Sequence, residues 1–547
     1  MTSSSEYIEF PCGCKFEKNS KGLPVFNPNI EALPLECERT WDMICEGNTK
    51  GVFQLESQLG QSKAREVKPR SVEELSDLIA IIRPGCGDAM VKGKSLTQHY
   101  IDRKAGRDEI KYEDPRLKPI LESTYGILVY QEQAMQIAQL VAGFTLEQAD
   151  NLRKAIGKKK VDLMAKVKEE FLDGAESLGM FSKKDAEEIF SWIEKSQKYS
   201  FNKSHSVSYA LNGYQTAYAK AHFPRAFFTS YLRHADGKPK PFEEINDLVN
   251  NARTMDIDVI PPSIINMNEN FCLIENLPAF GIVNVKSVGL SVYKQLAGVI
   301  NKNDYDISSM SWEEFLMKLG RYIKSNSFES MIRAGVFDCY KVQRNKMLYH
   351  FNIYKELKDS DKEYLEKTEV KTFIEGLESA IPYVKQSKKA TVHRVRHIDQ
   401  LEGSIAAIKN PPYDLIDKPS WRAKQERDLL GIEITCSEVD EYDVGNANCS
   451  CREYLKGFDA NNISIAAQIS DIREWKIRGG QHKGEKMAFL KISDSSCALD
   501  NVTIFSEDWN KLKNKIEIGK VLLLRGNRDK NRGSFLVKQV QTLKQCI

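Results

Sequence analysis

Cations gather at two places along the chain where neighbouring residues could present them to a polyanion. Arg153 and Lys154 lie at the end of a helical pattern, and Lys158, Lys159 and Lys160 follow at once. Five cations aimed at one place suit a triphosphate or a nucleic-acid backbone. The same run also reads as a solvated helix end beside the negative pole of the helix dipole. The second place is KYSFNKSHS, residues 198–206. There Phe201 can anchor the segment while Asn202, Lys203, Ser204 and His205 crowd polar groups before a new helix. Ser204 or Ser206 can cap that helix and leave backbone N–H groups near Lys203 and His205, an arrangement that binds anions. An N-cap with an incidental histidine fits the same residues.

Other candidate chemistry is thinner. Cys12-Gly-Cys14 with Cys37 and Cys45 could supply four thiolates to zinc, although the Cys-x-Cys step is tighter than the usual structural knuckle. Cys449 and Cys451 have no second pair nearby. Twelve cysteines without a framework spacing fit free thiols in a reducing cytoplasm. Gly87 with Gly93-Lys94-Ser95 nearly spells a phosphate-binding loop, but the spacing is one residue too long and Asp88 stands where a glycine is needed. The eight histidines are dispersed, and no Asp/His cluster has the ligand spacing of a metal nuclease.

The elements that must carry these residues follow from hydrophobic spacing. Met135, Ala138 and Val141 mark a helix over residues 131–142, interrupted by Gly143. Thr145 and Gln148 form a capping box for a second helix whose buried stripe is Leu146, Ala149, Leu152 and Ile156, with Gly157 as its stop. An apolar helix over 72–82 runs into the turn Arg83-Pro84-Gly85. Beyond Ile463 the period changes to two, and five strands separated by glycine-bearing turns match the OB-fold recipe. On that barrel Trp475, Phe489 and Phe535 are candidates for base stacking, and Lys476, Arg478, Lys483 and Lys486 for the backbone. Aromatics that merely fill the barrel are the alternative for each.

At 547 residues the chain exceeds a single core. Its net charge of +3 leaves nucleic-acid contacts to local patches. No apolar run reaches 18 residues and the first ten residues lack the pattern of a secretory signal, so no membrane partner is expected.

The wording of several blocks resembles the family C replicative DNA polymerases, the bacterial DNA polymerase III alpha subunits. The blocks are YGILVYQEQAMQIAQLVAGFTLEQADNLRKAIGKKK at 125–160, GVFQLES at 51–57, IIRPG at 81–85, IDRKAGRDE at 101–109, FNKSHSVSYA at 201–210, YQTAYAKAHFP at 214–224 and IPPSIINMN at 260–268. They stand in the family's order with similar gaps. The resemblance implies a fingers domain whose nucleotide-facing wall holds Arg153, Lys154, Lys158, Lys203 and His205. The family typically has two arginines where Arg153 and Lys154 stand, and lysine loses the bidentate fork. Residues 279–289 resemble a helix–hairpin–helix unit that points amides at a duplex phosphate. Of its Gly-x-Gly turn only Gly289 is present, with Ser287 replacing the first glycine and Lys286 flanking it.

By that resemblance the chain divides into a lead-in (1–46), fingers (47–235), a helix–hairpin–helix module (236–340), a helical connector (341–455) and an OB-fold (456–547). The fold class is mixed and multidomain, mainly α-helical with a C-terminal five-stranded barrel. The family's palm, with acidic residues that hold two Mg2+ ions, has no legible counterpart between Met1 and Trp41. The expectation is therefore a split polymerase of bacteriophage type, in a bacterial cytoplasm. A separate palm-bearing chain would bring the Mg2+, with primer–template DNA and deoxynucleoside triphosphates as ligands and no catalytic residue in this chain. A sliding clamp is implied by the resemblance alone, since no copy of the clamp-docking peptide is legible near 340–410. The alternative is a non-catalytic DNA-binding or regulatory protein derived from polymerase fingers.

Overall fold

The computed structural model describes residues 7–91, 93–157, 161–196, 199–386, 391–477, 481–529 and 533–546. Lys158, Lys159, Lys160, Lys198 and Arg478 therefore lie outside the described residues. The chain forms two compact units, Met1–Pro224 and Arg225–Ile547. The first is helical apart from short hairpins, and the second ends in a closed five-stranded barrel, the mixed architecture expected. Among the described residues no helix is long and apolar enough to cross a membrane.

In the first unit the Val72–Ile81 helix is capped by Ser71, whose hydroxyl accepts from the Glu74 amide at 3.2 Å. Only Glu73 and Glu74 of this helix escape full burial, which is why its sequence reads as a nearly continuous apolar run. It packs on the Lys203–His222 helix, where Ala210, Gly213, Ala217 and Ala221 keep the buried face small. A Cβ at Gly213 would stand 3.2 Å from the Phe53 carbonyl oxygen, so the close approach depends on glycine. Near its end the buried Lys220 ammonium donates to the carbonyls of Asn48 and Lys50 at 3.0 and 2.9 Å.

Asp77 is the exception in this apolar setting. It accepts from the hydroxyls of Tyr100 and Tyr130 at 2.8 and 2.6 Å. Burial pushes its carboxyl up to about 6, against the pull of both hydroxyls and of the Lys203 charge.

A second apolar cluster joins the helices Gln131–Ala142, Leu146–Gly157, Val161–Leu178 and Lys183–Ser196. The first of these begins where the Gln133 side chain accepts from the amides of Val129 and Tyr130, both at 3.0 Å. It ends at Gly143, whose φ of +64° is the left-handed conformation expected of that glycine. Thr145 and Gln148 then form the capping box. The stripe of the next helix differs from the expected one. Ala149, Leu152 and Ala155 are buried, whereas Leu146, at the free first turn, is 70% exposed.

In the second unit Arg344 joins two sequence blocks. Its buried guanidinium pairs with Asp338 at 2.6 Å and with the buried Glu426 at 2.7 Å, while Glu426 also accepts from the Ile434 and Thr435 amides. The barrel runs through Ile463–Lys476, Lys486–Ser493, Ala498–Ile504, Val521–Arg528 and Phe535–Thr542. In that numbering the strand order is 1-2-3-5-4 and back to 1, with one parallel pair between the third and fifth strands. Gly526 sits at a register shift, where a Cβ would meet the Leu536 carbonyl oxygen at 2.0 Å. Phe535 is fully buried against Tyr454, so it fills the barrel and is not a stacking residue.

Asp77 gives the first unit a defined pH response. Its folded pKa lies above the ordinary carboxyl value, so its contribution is complete at low pH and is lost as pH rises through about 6. A shift of about two units corresponds to roughly 3 kcal/mol of linkage. Asp77→Asn is expected to flatten the fall in stability between about pH 4 and 7, the span from the ordinary carboxyl value to just above the raised one, read from urea unfolding of the full chain. Identical pH profiles for both proteins would contradict this.

Candidate functional site

The segment at Phe201 is held by the start of the Gln131–Ala142 helix. Phe201 donates its amide to Val129 O at 2.9 Å and accepts from the Gln131 amide at 2.9 Å. Glu132 then accepts from the Asn202 side-chain amide at 2.8 Å and from the Lys203 backbone amide at 2.9 Å. The helix cap is Asn202, not Ser204 or Ser206. Its side-chain oxygen accepts from the His205 amide at 2.9 Å and from the Ser204 hydroxyl at 2.7 Å, and the buried Ser206 hydroxyl donates to Ser76 O. The amides of Lys203 and His205 are thus already occupied, which corrects the expectation that they stand free for an anion.

What this start of the helix offers a ligand is side chains. Lys203, Ser204 and His205 are exposed. The Lys203 ammonium lies 5.7 Å from the Tyr130 ring centroid, and the His205 ring packs at 5.5 Å from Phe201 and 3.9 Å from Tyr209. A second cation joins Lys203 here: the exposed Arg83 lays its guanidinium 3.4 Å over the Phe201 ring. Sequence reading took Arg83 only as part of a turn, because nothing local to Arg83-Pro84-Gly85 says which ring it will cover.

Arg153 and Lys154 are arranged differently. Arg153 donates to Asp150 at 2.8 Å, and the Lys154 ammonium stands 2.7 Å from the other oxygen of the same carboxylate. Two cations around one acid leave a single net positive charge there. They sit on the helix of the second apolar cluster, whereas Phe201 belongs to the first. Among the described residues no ion pair or hydrogen bond joins them to Lys203 or His205. Lys158 lies outside the described residues. The near-miss phosphate loop is a small hairpin, and Lys94 spends its charge on Asp102 and Asp108 at 2.8 and 2.9 Å.

In the second unit the hairpin at Lys286–Gly289 keeps the shape of a Gly-x-Gly turn without its first glycine, since Ser287 adopts φ +71°. Gly289 caps the Leu290–Asn303 helix, and Lys286, Ser287 and Gly289 are exposed. The Lys286 amide donates to Leu429 O at 2.9 Å, so it is unavailable to a phosphate, while its ammonium lies 5.7 Å from the Phe242 ring.

On the barrel, Trp475 pairs with Met487 and Arg473 with Phe489 across the first two strands. Trp475 and Phe489 are 46% and 39% exposed, and Arg473, Lys476 and Lys483 are exposed too. Alternation along each strand sets Arg473 and Trp475 on one face beside Met487 and Phe489. Arg473 was missed in sequence because it lies inside a strand, away from the lysine-bearing turn. Lys486 is drawn to Glu474 at 2.5 Å. Arg478 lies outside the described residues.

Among the described residues, one group of three or more His, Cys, Asp and Glu side chains is close enough to share a cation: Cys12, Cys14, Cys37 and His222. Thiols and an imidazole do not suit Mg2+, which takes oxygen ligands, and no carboxylate trio gathers among the described residues. Cys45 is not in the group; its thiol lies 3.3 Å from Pro69 O.

Residues 16–179 match the family model described as the bacterial DNA polymerase III alpha subunit finger domain. The DNA polymerase III subunit alpha of Aquifex aeolicus is 30% identical over 519 residues, 94% of this chain and 39% of that protein. That of Pseudomonas aeruginosa is 30% identical over 536 residues, 93% of this chain and 42% of that protein. That of Thermus aquaticus is 28% identical over 549 residues, 97% of this chain and 40% of that protein. The chain spans about two fifths of the length of these curated relatives. With a finger-domain match in its first unit and alignment running through its second, the chain is similar to the alpha subunits of bacterial DNA polymerase III along almost its whole length.

Proposed function

We propose that the chain forms the fingers and the DNA-holding part of a DNA-directed DNA polymerase of the bacterial DNA polymerase III alpha type. The observation that carries this reading is the Glu132 clamp. It joins two segments distant in sequence and leaves Arg83 and His205 exposed at the Phe201 ring and Lys203 exposed beside Tyr130. These side chains neutralise the phosphates of an incoming deoxynucleoside triphosphate, with Arg153 and Lys154 contributing from the Leu146–Gly157 helix and Lys158 following it in sequence. The Lys286–Gly289 hairpin holds a phosphate of duplex product. The barrel face of Arg473, Trp475 and Phe489 holds single-stranded template, with Lys476 at the strand end and Lys483 in the adjoining turn reaching the backbone from beside it. No carboxylate trio gathers among the described residues, so the carboxylates that hold magnesium come from outside them.

In the assembled polymerase, Lys203→Ala and Arg83→Ala are each expected to raise KM for nucleotide about tenfold or more, the scale of one charge-assisted hydrogen bond. An unchanged KM removes the residue from the site. Trp475→Ala and Phe489→Ala are each expected to weaken oligonucleotide binding by about 1–3 kcal/mol per stacked base, with steep salt dependence in both proteins. Equal affinity across the set would make the barrel face structural only.

A further inference from the structure

The group at Cys12, Cys14, Cys37 and His222 is assembled from three separate pieces of the first unit. Cys12 and Cys14 lie in the turn between the strands Tyr7–Glu9 and Lys15–Glu17, where Gly13 adopts φ +81° and donates to Phe10 O. Cys37 occupies the N-cap of the Glu38–Cys45 helix but makes no side-chain capping bond, so its sulfur is directed elsewhere. His222 is the last residue of the Lys203–His222 helix.

Their ligand atoms all lie within 4.8 Å of one another. His222 Nε2 stands 3.3 Å from Cys37 Sγ and 4.0 Å from Cys12 Sγ. Zinc bonds of about 2.3 Å to sulfur and 2.0–2.1 Å to nitrogen give tetrahedral edges of about 3.5–3.8 Å, which these separations bracket. The cysteines are free thiols. Cys14, Cys37 and His222 are buried, Cys12 is partly so, and the rings of Phe10, Phe16 and Tyr218 pack around His222 at 5.6, 5.2 and 4.3 Å. Four ligating groups that converge in a mostly dry pocket, without a disulfide between them, form a closed tetrahedral donor set.

We propose that Cys12, Cys14, Cys37 and His222 bind one structural Zn2+. Binding exchanges three thiol protons for the metal, leaving three thiolates and a neutral imidazole around Zn2+ and a net charge of −1. Arg39, close enough to act on His222, partly offsets it. The metal ties the hairpin and the 38–45 helix to the end of the helix whose beginning carries Lys203 and His205.

The test uses the full chain purified without chelator. Elemental analysis is expected to give one zinc per chain, and X-ray absorption to give three sulfur and one nitrogen neighbours at about 2.3 and 2.0–2.1 Å. Cys37→Ser and His222→Ala should lose stoichiometric zinc, His222→Cys should retain it with four sulfurs, and Cys45→Ser should leave the metal unchanged. A chain that neither carries zinc nor takes it up on titration would overturn the proposal. So would zinc with a different shell, or zinc that depends on Cys45. If the variants fail to fold, the absorption spectrum of the unaltered chain decides.

Discussion

One carboxylate holds the exposed cations of the first unit in register. Glu132 accepts from the Asn202 side chain and the Lys203 amide, and a single parallel bridge between Tyr130 and Phe201 runs beside it. These contacts close a loop of about 70 residues, so they order a segment that local forces alone would leave free. Asn202, fixed by Glu132, in turn caps the Lys203–His222 helix. The exposure of Lys203 and His205 and the ring that Arg83 covers all follow from that hold.

The two groups of cations in the first unit then differ in how their charge is spent. Arg153 and Lys154 are drawn together by Asp150, which fixes their positions and halves the field they project. Arg83 and Lys203 lean on aromatic faces, where a cation is oriented without being neutralised. The second arrangement keeps charge available to a phosphate. Lys203 also acts on the buried Asp77, whose carboxyl burial pushes up to about 6 and the lysine's charge draws back down.

Much of this was legible in sequence, and the limits have physical causes. The barrel was visible because a pleated strand imposes a period of two that Ile463 and its successors obey. The box at Thr145 and Gln148 was visible because both partners lie within one turn. Local pattern could not tell a base-stacking ring from a barrel-filling one, so Phe535 and Phe489 read alike until closure of the sheet buried the first and exposed the second. Asn202 won the cap over the serines because Glu132, far away in sequence, fixed its side chain. The fourth ligand of the thiol cluster shows the same limit. Cys45 was the nearest cysteine along the chain, yet a helix placed its thiol at Pro69 while the return of another helix delivered His222.

The central claim is that the side chains around Phe201 recognise phosphate. Equilibrium binding of deoxyadenosine, its monophosphate and its triphosphate to the full chain, with and without Arg83→Ala and Lys203→Ala together, measures this directly. The account predicts affinity that rises with each phosphate and falls with salt, and a loss of that dependence in the double variant. Equal affinity for the nucleoside and the triphosphate, or a phosphate dependence that survives both substitutions, would contradict it.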